Sequence, residues 1–167
     1  MPQKNKHGEI VFKDNGEFRP NLTPQEIFEM GSFGGTYWRP ITSTFFKNKL
    51  ENQHMKKKYT HLGWWDSIDK PEMLTRPYTE YKKSVNYYGV KCGSTLEDWE
   101  ASDWMRKSHP YGWVQWYCDY YIGERCQDDN RQIKRWIKTA GPKSRFRRAL
   151  INLIIKKKGK YNDYKIS

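Results

Sequence analysis

Helical periodicity in the last third of the chain is the feature that most constrains its fold. From Trp113 onwards, apolar and aromatic residues recur every three or four positions in three successive stretches. Residues with that spacing lie on one face of an α-helix. The first stretch ends at Gly123, and its stripe consists of Trp113, Trp116, Tyr117, Tyr120 and Tyr121. The spacing predicts an aromatic helix whose stripe packs in the core.

Two more helices are predicted after Gly123. Asp128 or Asp129 caps the first of them, Gly141-Pro142 ends it, and the next runs from about Ser144 to Lys157. The inward stripes are Ile133, Trp136, Ile137 and Ala140 in one helix, and Phe146, Ala149, Leu150, Leu153 and Ile154 in the other. The tight Gly-Pro link predicts an angled or antiparallel helix pair.

The first two thirds of the chain give weaker structural signals. Ile10 to Phe12 predicts an edge strand. Thr23 and Ser94 each begin a capping-box sequence, with Glu three residues later, and each predicts the start of a helix. Gly31 is expected to end the first of these two helices. Between them, short basic and aromatic runs show no regular period, which predicts irregular structure.

These patterns together predict a mainly α fold, with an irregular, aromatic-rich N-terminal half and a small C-terminal helical bundle. Residues 1–22 form a polar N-terminal segment. Residues 23–167 form a single globular domain with basic C-terminal helices over 128–158. Hydrophobic residues make up only 36% of the chain, but 8 Trp, 12 Tyr and 7 Phe are unusual for a disordered protein. We therefore expect a core of large rings whose polar atoms need hydrogen-bond partners.

The positive charge of the chain is concentrated at its C-terminal end. The first 130 residues carry 18 Lys and Arg against 18 Asp and Glu, and the last 37 carry 13 Lys and Arg against one acid, Asp163. A neutral body joined to a strongly basic end indicates a polyanionic partner. Nucleic acid, DNA or RNA, is the first candidate. No signal peptide and no apolar run of membrane-spanning length is seen, so we predict an intracellular protein, cytoplasmic or nuclear, and not a secreted one.

The predicted nucleic-acid contacts are cations on the last two helices. In the first of these helices the cations lie opposite the apolar stripe, with no acid between them. In the second they cluster at the N-terminus, where they oppose the helix dipole, so helix stability does not explain them. Phosphate groups would favour both sets. The predicted phosphate contacts are Arg131, Lys134, Arg135 and Lys138, completed by Arg145, Arg147 and Arg148.

Aromatic residues in predicted loops could add base stacking. Adjacent rings point in different directions, so one of each pair is expected at the surface, and several lie near a cation. The stacking candidates are Trp38, Trp64 and Trp65, with Tyr37, Tyr87 and Tyr88 as further rings. Arg39, after the Gly34-Gly35 turn, could clamp a phosphate. A purely structural turn at these glycines remains an open alternative.

An enzyme acting on nucleic acid is the alternative function. A nuclease or a base-excising glycosylase needs carboxylates beside a cationic groove. The candidate catalytic residues are Asp119, Glu124, Asp128, Asp129 and His109. A cofactor is not expected, except a divalent metal if the chain is a nuclease. For zinc, Cys92, Cys118 and Cys126 with His109 lack paired C-x-x-C spacing, so no structural zinc site is expected.

Two other roles stay open at this point. The basic end could dock on an acidic protein surface or on a packaged genome, as part of an assembly or scaffold. A membrane role is not expected, because the apolar face of the last helix fits a core better than a bilayer surface. The oligomeric state and the choice between DNA and RNA are not determined by the sequence.

A continuous motif in the last third resembles a run found in a family of uncharacterised proteins. It reads Gly-Trp-Val-Gln-Trp-Tyr-Cys-Asp-Tyr-Tyr-Ile-Gly-Glu-Arg from Gly112 to Arg125, and continues as Arg-Gln-Ile-Lys-Arg-Trp from Arg131 to Trp136. The resemblance covers about 25 residues, from Gly112 to Trp136, and the segment from Phe33 to Tyr37 extends it. It implies a defined domain and carries no activity or catalytic residues to this chain.

Overall fold

A computed structural model describes residues 1–42, 49–68, 73–89, 106 and 108–156 of the chain, without the side chain of Phe146. The chain packs as two compact units. Unit 1 consists of residues Met1–Asn21 with Ile122–Ser167, and unit 2 consists of Leu22–Tyr121. The mainly α character is confirmed, whereas the single domain over 23–167 stays a prediction.

Unit 1 pairs a small β-hairpin with two helices. Strand β1 spans Gln3–Lys4 and strand β2 spans Ile10–Val11, in antiparallel register with Gln3 opposite Val11. The helices are α4, Asp129–Ala140, and α5, Arg145–Lys156. Their order and bounds agree with the helical periodicity of the sequence. The predicted edge strand at Ile10 is confirmed as well.

The core of unit 1 is built on stacked rings. Phe12 and Phe18 stack with their centroids 5.2 Å apart, and Phe18 meets Trp136 of α4 edge-to-face at the same distance. Ile10 and Ile133 are buried beside them. The N-terminal segment therefore covers part of the apolar stripe of α4, which makes residues 1–21 an ordered part of this unit.

Helix α5 differs from the prediction of an inward apolar stripe. Ala149 is exposed, and Leu150, Leu153 and Ile154 are only half-buried. Ile151 and Ile155 are 46% and 68% exposed. The burial of Ala149 predicted from the helical period is therefore wrong. The period fixes which residues share a face, but a partner element must cover that face before it is buried.

Three helices lie wholly within the described residues of unit 2. Helix α1 spans Pro24–Glu29, α2 spans Lys57–Thr60 and α3 spans Trp113–Tyr121, with short 3₁₀ turns at Gln53–Met55, Tyr78–Glu80 and Lys83–Val85. The capping box at α1 is confirmed, since Thr23 Oγ1 accepts the Glu26 amide and Glu26 accepts the Thr23 amide. The second predicted capping box, at Ser94, lies outside the described residues.

Aromatic side chains form the core of unit 2. The aromatic stripe of α3 is buried as predicted from Trp116 to Tyr121, but Gln115, Cys118 and Asp119 are buried too, so most of this helix faces protein. Other elements contribute the remaining rings of this core: Phe28, Tyr37, Trp38, Tyr59, Trp64, Trp65 and Tyr111.

Buried tyrosine hydroxyls connect distant parts of this core. Tyr37 donates its hydroxyl proton to the carbonyl of Tyr111 at 2.8 Å and accepts the amide of Gln115 at 2.8 Å. Tyr117 donates to the carbonyl of Leu22 at 2.7 Å. Burial raises the pKa of Tyr111 to about 12 and that of Tyr37 well above its usual range, so both hydroxyls stay protonated donors.

The backbone at position 31 of unit 2 lies so close to the backbone of Val85 that only glycine fits there. Gly31 has φ +62°, and a Cβ atom there would lie 1.8 Å from the carbonyl oxygen of Val85. We expect Gly31→Ala to reduce the free energy of unfolding by about 3 kcal/mol, because strained backbone and a clash add together. The control Gly89→Ala has φ +67° with no described atom within 4 Å of its Cβ. Urea denaturation should show a loss of only about 1 kcal/mol for the control, and equal losses would contradict the clash.

Within the described residues, no helix is both long enough and apolar enough to cross a membrane.

Candidate functional site

Unit 1 carries seven exposed cations between residues 134 and 148. They come from α4, from the corner after it and from the first turn of α5. We call this set the basic surface; its members are Lys134, Arg135, Lys138, Lys143, Arg145, Arg147 and Arg148. The structure thus brings six of the seven predicted phosphate contacts into one unit as exposed groups. Lys143 joins them, although it was not among the predicted contacts.

The seventh predicted contact, Arg131, already has a carboxylate partner within unit 1. Its guanidinium makes a bidentate ion pair with the Asp128 carboxylate, through Nε at 2.5 Å and Nη2 at 2.7 Å. The side chains are 31% and 16% exposed, respectively. Because this pair already satisfies the charge of Arg131, we do not include that residue in the basic surface.

A groove between α4 and α5 concentrates the charge. It has a volume of about 450 Å³ and is lined by Arg135, Lys138, Thr139 and Arg145. No carboxylate is among the described residues that line it. Gln132 holds Arg135 in place by accepting from its guanidinium at 3.0 Å. Cations that share a groove repel one another, so an anion bound between them is favoured by all three.

The sequence at the α4–α5 corner explains this geometry. The Gly141 amide donates to the carbonyl of Ile137 at 2.9 Å, and a Cβ atom at position 141 would lie only 2.4 Å from that oxygen. Buried Ser144 then caps α5, since its hydroxyl accepts the Arg147 amide at 3.0 Å. The chain therefore turns tightly, and Arg145 at the start of α5 reaches the same groove as Lys138 near the end of α4.

The three tryptophans among the stacking candidates are buried, contrary to the prediction, whereas Tyr87 and Tyr88 are 74% and 65% exposed. Trp38, Trp64 and Trp65 are at most 3% exposed and are covered by other rings of the unit 2 core. For example, Trp64 stacks on Tyr59 with centroids 5.7 Å apart. A base cannot reach a buried ring without opening the core. We therefore do not include these three residues in the proposed interface.

Arg39 and the glycine turn before it also have internal roles. Arg39 is 7% exposed, donates to the carbonyl of Thr36 at 3.2 Å and lies over the Tyr78 ring. A Cβ atom at Gly34 would lie 2.5 Å from the ring of Tyr81. The glycine therefore makes room for a tyrosine side chain, which supports the structural alternative for this turn.

A buried polar cluster around Asp119 connects three elements of unit 2. One carboxylate oxygen of Asp119 accepts from Tyr59 at 2.5 Å and from Lys58 at 2.9 Å, and the other accepts from Nε2 of His109 at 3.0 Å. Tyr59 is fully buried, and His109 and Asp119 nearly so. We call these four residues the Asp119 cluster. Two of the candidate catalytic residues, Asp119 and His109, are therefore in contact.

The other ring nitrogen of His109 is the unusual atom of this cluster. Nδ1 is buried and has no hydrogen-bond partner among the described residues. Nε2 must carry a proton to donate to the Asp119 carboxylate. Asp119 is thus placed to orient the ring, which is the geometry of a histidine base held by a carboxylate. Both residues are buried, so the described residues leave no opening through which a polymer could reach them.

The remaining candidate carboxylates belong to unit 1, and two of them, Asp128 and Asp129, have structural contacts there. Asp128 pairs with Arg131, Asp129 accepts the amide of Cys126 at 2.9 Å, and Glu124 is exposed. Asp128 is the N-cap residue of α4, as predicted, but its side chain makes no capping hydrogen bond. No group of three His, Cys, Asp or Glu residues able to hold a metal occurs in the part of the chain described. Cys92 lies outside that part.

The Asp119 cluster makes the stability of unit 2 depend on pH. Burial raises the pKa of Asp119, but hydrogen bonds from His109, Tyr59 and Lys58 outweigh it and lower the pKa to about 2. A carboxyl whose folded pKa is lower than its unfolded pKa stabilises the protein above the unfolded pKa. This contribution should disappear as the pH falls from about 4 to 2.

The comparison with Asp119→Asn tests this pH dependence. Asparagine cannot ionise, so the free energy of unfolding of the variant should fall less steeply below pH 4 than that of the wild type. Urea denaturation of both proteins at a series of pH values measures the difference. If the free energies of unfolding of the two proteins fall equally between pH of about 4 and 2, Asp119 does not cause the pH dependence.

Comparisons of the chain with protein-family models, with curated proteins and with solved structures give no match. The function must therefore be argued from the chemistry of these sites.

Proposed function

We propose that this protein binds nucleic acid through its phosphates, at the basic surface of unit 1. The groove lined by Arg135, Lys138, Thr139 and Arg145 carries the proposal. Guanidinium, ammonium and hydroxyl groups are the side chains that bind phosphate oxygens in protein–DNA interfaces. The remaining cations of the surface lie on the same two helices and at the corner between them, so successive phosphates of one strand have further partners.

The charge distribution of the whole chain supports a polymer over a small anion. The C-terminal 37 residues carry 13 of the 31 Lys and Arg residues, with a single acid among them. One inorganic phosphate would neutralise only a fraction of this charge. A nucleic-acid strand presents phosphates at regular intervals and gains entropy by releasing counterions for each one bound.

A salt series tests the proposal. Fluorescence anisotropy of labelled single- and double-stranded DNA and RNA should show binding that weakens steeply as salt increases, with about one unit of log–log slope per phosphate contact. Gel analysis of the same samples, with and without Mg²⁺, reports whether the strand stays intact. Absence of binding at low salt would overturn the proposal and favour an acidic protein partner instead.

A further inference from the structure

A second cleft in unit 1 has a lining unlike that of the basic groove. It has a volume of about 990 Å³, within the range of small-molecule sites. The N-terminal segment forms one wall, and the end of α4 with the following corner forms the floor. Arg145 and Arg147 lie two positions apart on α5 and so point to different sides of the helix. Arg145 lines the basic groove and Arg147 lines this cleft.

The floor of the cleft is apolar and contains a tryptophan. Trp136, Ile137, Ala140 and Pro142 line it. Trp136 is only half-buried, and its contact with Phe18, at 5.2 Å between centroids, holds the indole at the edge of the core. The helical period predicted Trp136 to be an inward residue. Its partial exposure in a cleft makes it a better stacking candidate than the tryptophans of unit 2.

Two parts of unit 1 contribute the polar walls of the cleft. The N-terminal segment, which we call the acceptor side, contributes Glu9, Glu17 and Asn21 together with His7 and Arg19, and the corner and α5 contribute Lys143 and Arg147, the cation side. Carboxylate and amide oxygens accept hydrogen bonds from the amino and imino groups of nucleobases. Arg19 lies close to Glu9, at 3.7 Å, so part of the acidic charge is already balanced. The acceptor side disfavours phosphate, whereas the cation side favours it.

From this arrangement we infer that the cleft binds one unpaired nucleobase of a single strand. The base stacks on Trp136, its polar edge faces the acceptor side, and its phosphate lies at Lys143 and Arg147. The inference rests on the proposed function, because the same strand is held by the basic surface. It adds a preference for unpaired bases that phosphate contacts alone do not give.

The test compares an oligothymidine with an abasic oligonucleotide of the same length and charge. The wild type should bind the oligothymidine about tenfold more tightly, because stacking requires a base. Trp136→Leu should lose this ratio while still binding the abasic strand, and Trp136→Phe should keep part of it. Equal binding of both strands by the wild type would overturn the inference but leave the proposed function intact. Binding of neither strand would overturn both.

A second variant guards against loss of the fold, since Trp136 contacts the core. Ala140 is exposed and lies on the cleft floor, so Ala140→Phe fills the cleft without entering the core. It should also lose the preference for the base-containing strand and keep the affinity for the abasic one. Ala140→Ser is its matched control, and an unchanged preference in Ala140→Phe would contradict the proposed place of the base. Free thymidine monophosphate, measured in the same assay, should bind far more weakly than the oligothymidine because it lacks the other phosphates. Equal affinity of the two would contradict a strand as the ligand.

Discussion

The triple variant Arg135→Gln, Lys138→Gln, Arg145→Gln is expected to bind nucleic acid about a hundredfold more weakly than the wild type at about 0.1 M salt. All three side chains line the same groove, where no described carboxylate offsets them. The log–log salt slope should fall by about 3, one unit for each phosphate contact removed. Anisotropy across a salt series measures both quantities.

A matched control separates this effect from a change in net charge. Lys4, Lys6 and Lys13 are exposed, belong to the same unit and are not among the residues that line the groove. Changing all three to Gln removes the same charge. This control should retain most of the affinity and of the salt slope. Equal losses in both triple variants would mean that diffuse charge, and not the basic surface, holds the strand.

Asp119→Ala is expected to reduce the free energy of unfolding of unit 2 by about 3 kcal/mol. The substitution removes the acceptor shared by Lys58, Tyr59 and His109, so the buried hydroxyl of Tyr59 and the buried ring N–H of His109 lose this bond. Asp119→Asn keeps one carbonyl acceptor, so its loss should be smaller. Glu124→Ala changes an exposed carboxylate and should stay within about 0.5 kcal/mol of the wild type.

The result for Asp119 also affects how a search for catalysis should be designed. Loss of activity in Asp119→Ala would follow from unfolding alone, so it would not identify a catalytic group. Full stability in this variant would contradict the structural role of the Asp119 cluster. Tyr59→Phe, which removes one donor and leaves the other two in place, gives an intermediate test by the same urea measurement.

Local signals in the sequence predicted most of the described helices. The capping box at Thr23 and the periodicity of 113–121, 129–140 and 145–156 depend on neighbours within a few residues, so the bounds agree with the structure to within about two residues. The Asp119 cluster could only be predicted in part. His109 is 10 residues from Asp119, but Tyr59 is 60 residues away, and nothing local indicates that they meet.

The exposure of aromatic residues was the hardest feature to predict. Adjacent rings point in different directions, which predicts that one of each pair is exposed. Trp64 and Trp65 are both buried because they lie in a turn with other rings on either side, Tyr59 stacking on one and Phe28 meeting the other edge-on. Conversely, Trp136 belongs to an apolar helix face but is half-exposed. Sequence periodicity defines a face, and only the tertiary fold decides what covers it.

Lysine footprinting tests the location of the bound strand most directly. Exposed lysines are acetylated with and without an oligonucleotide, and mass spectrometry measures the modification of each. The proposed interface predicts protection of Lys134, Lys138 and Lys143, with Lys4, Lys6 and Lys13 modified equally in both samples. Binding of the strand with no protection on α4 and the α4–α5 corner, or with protection centred on the other three lysines, would contradict the account.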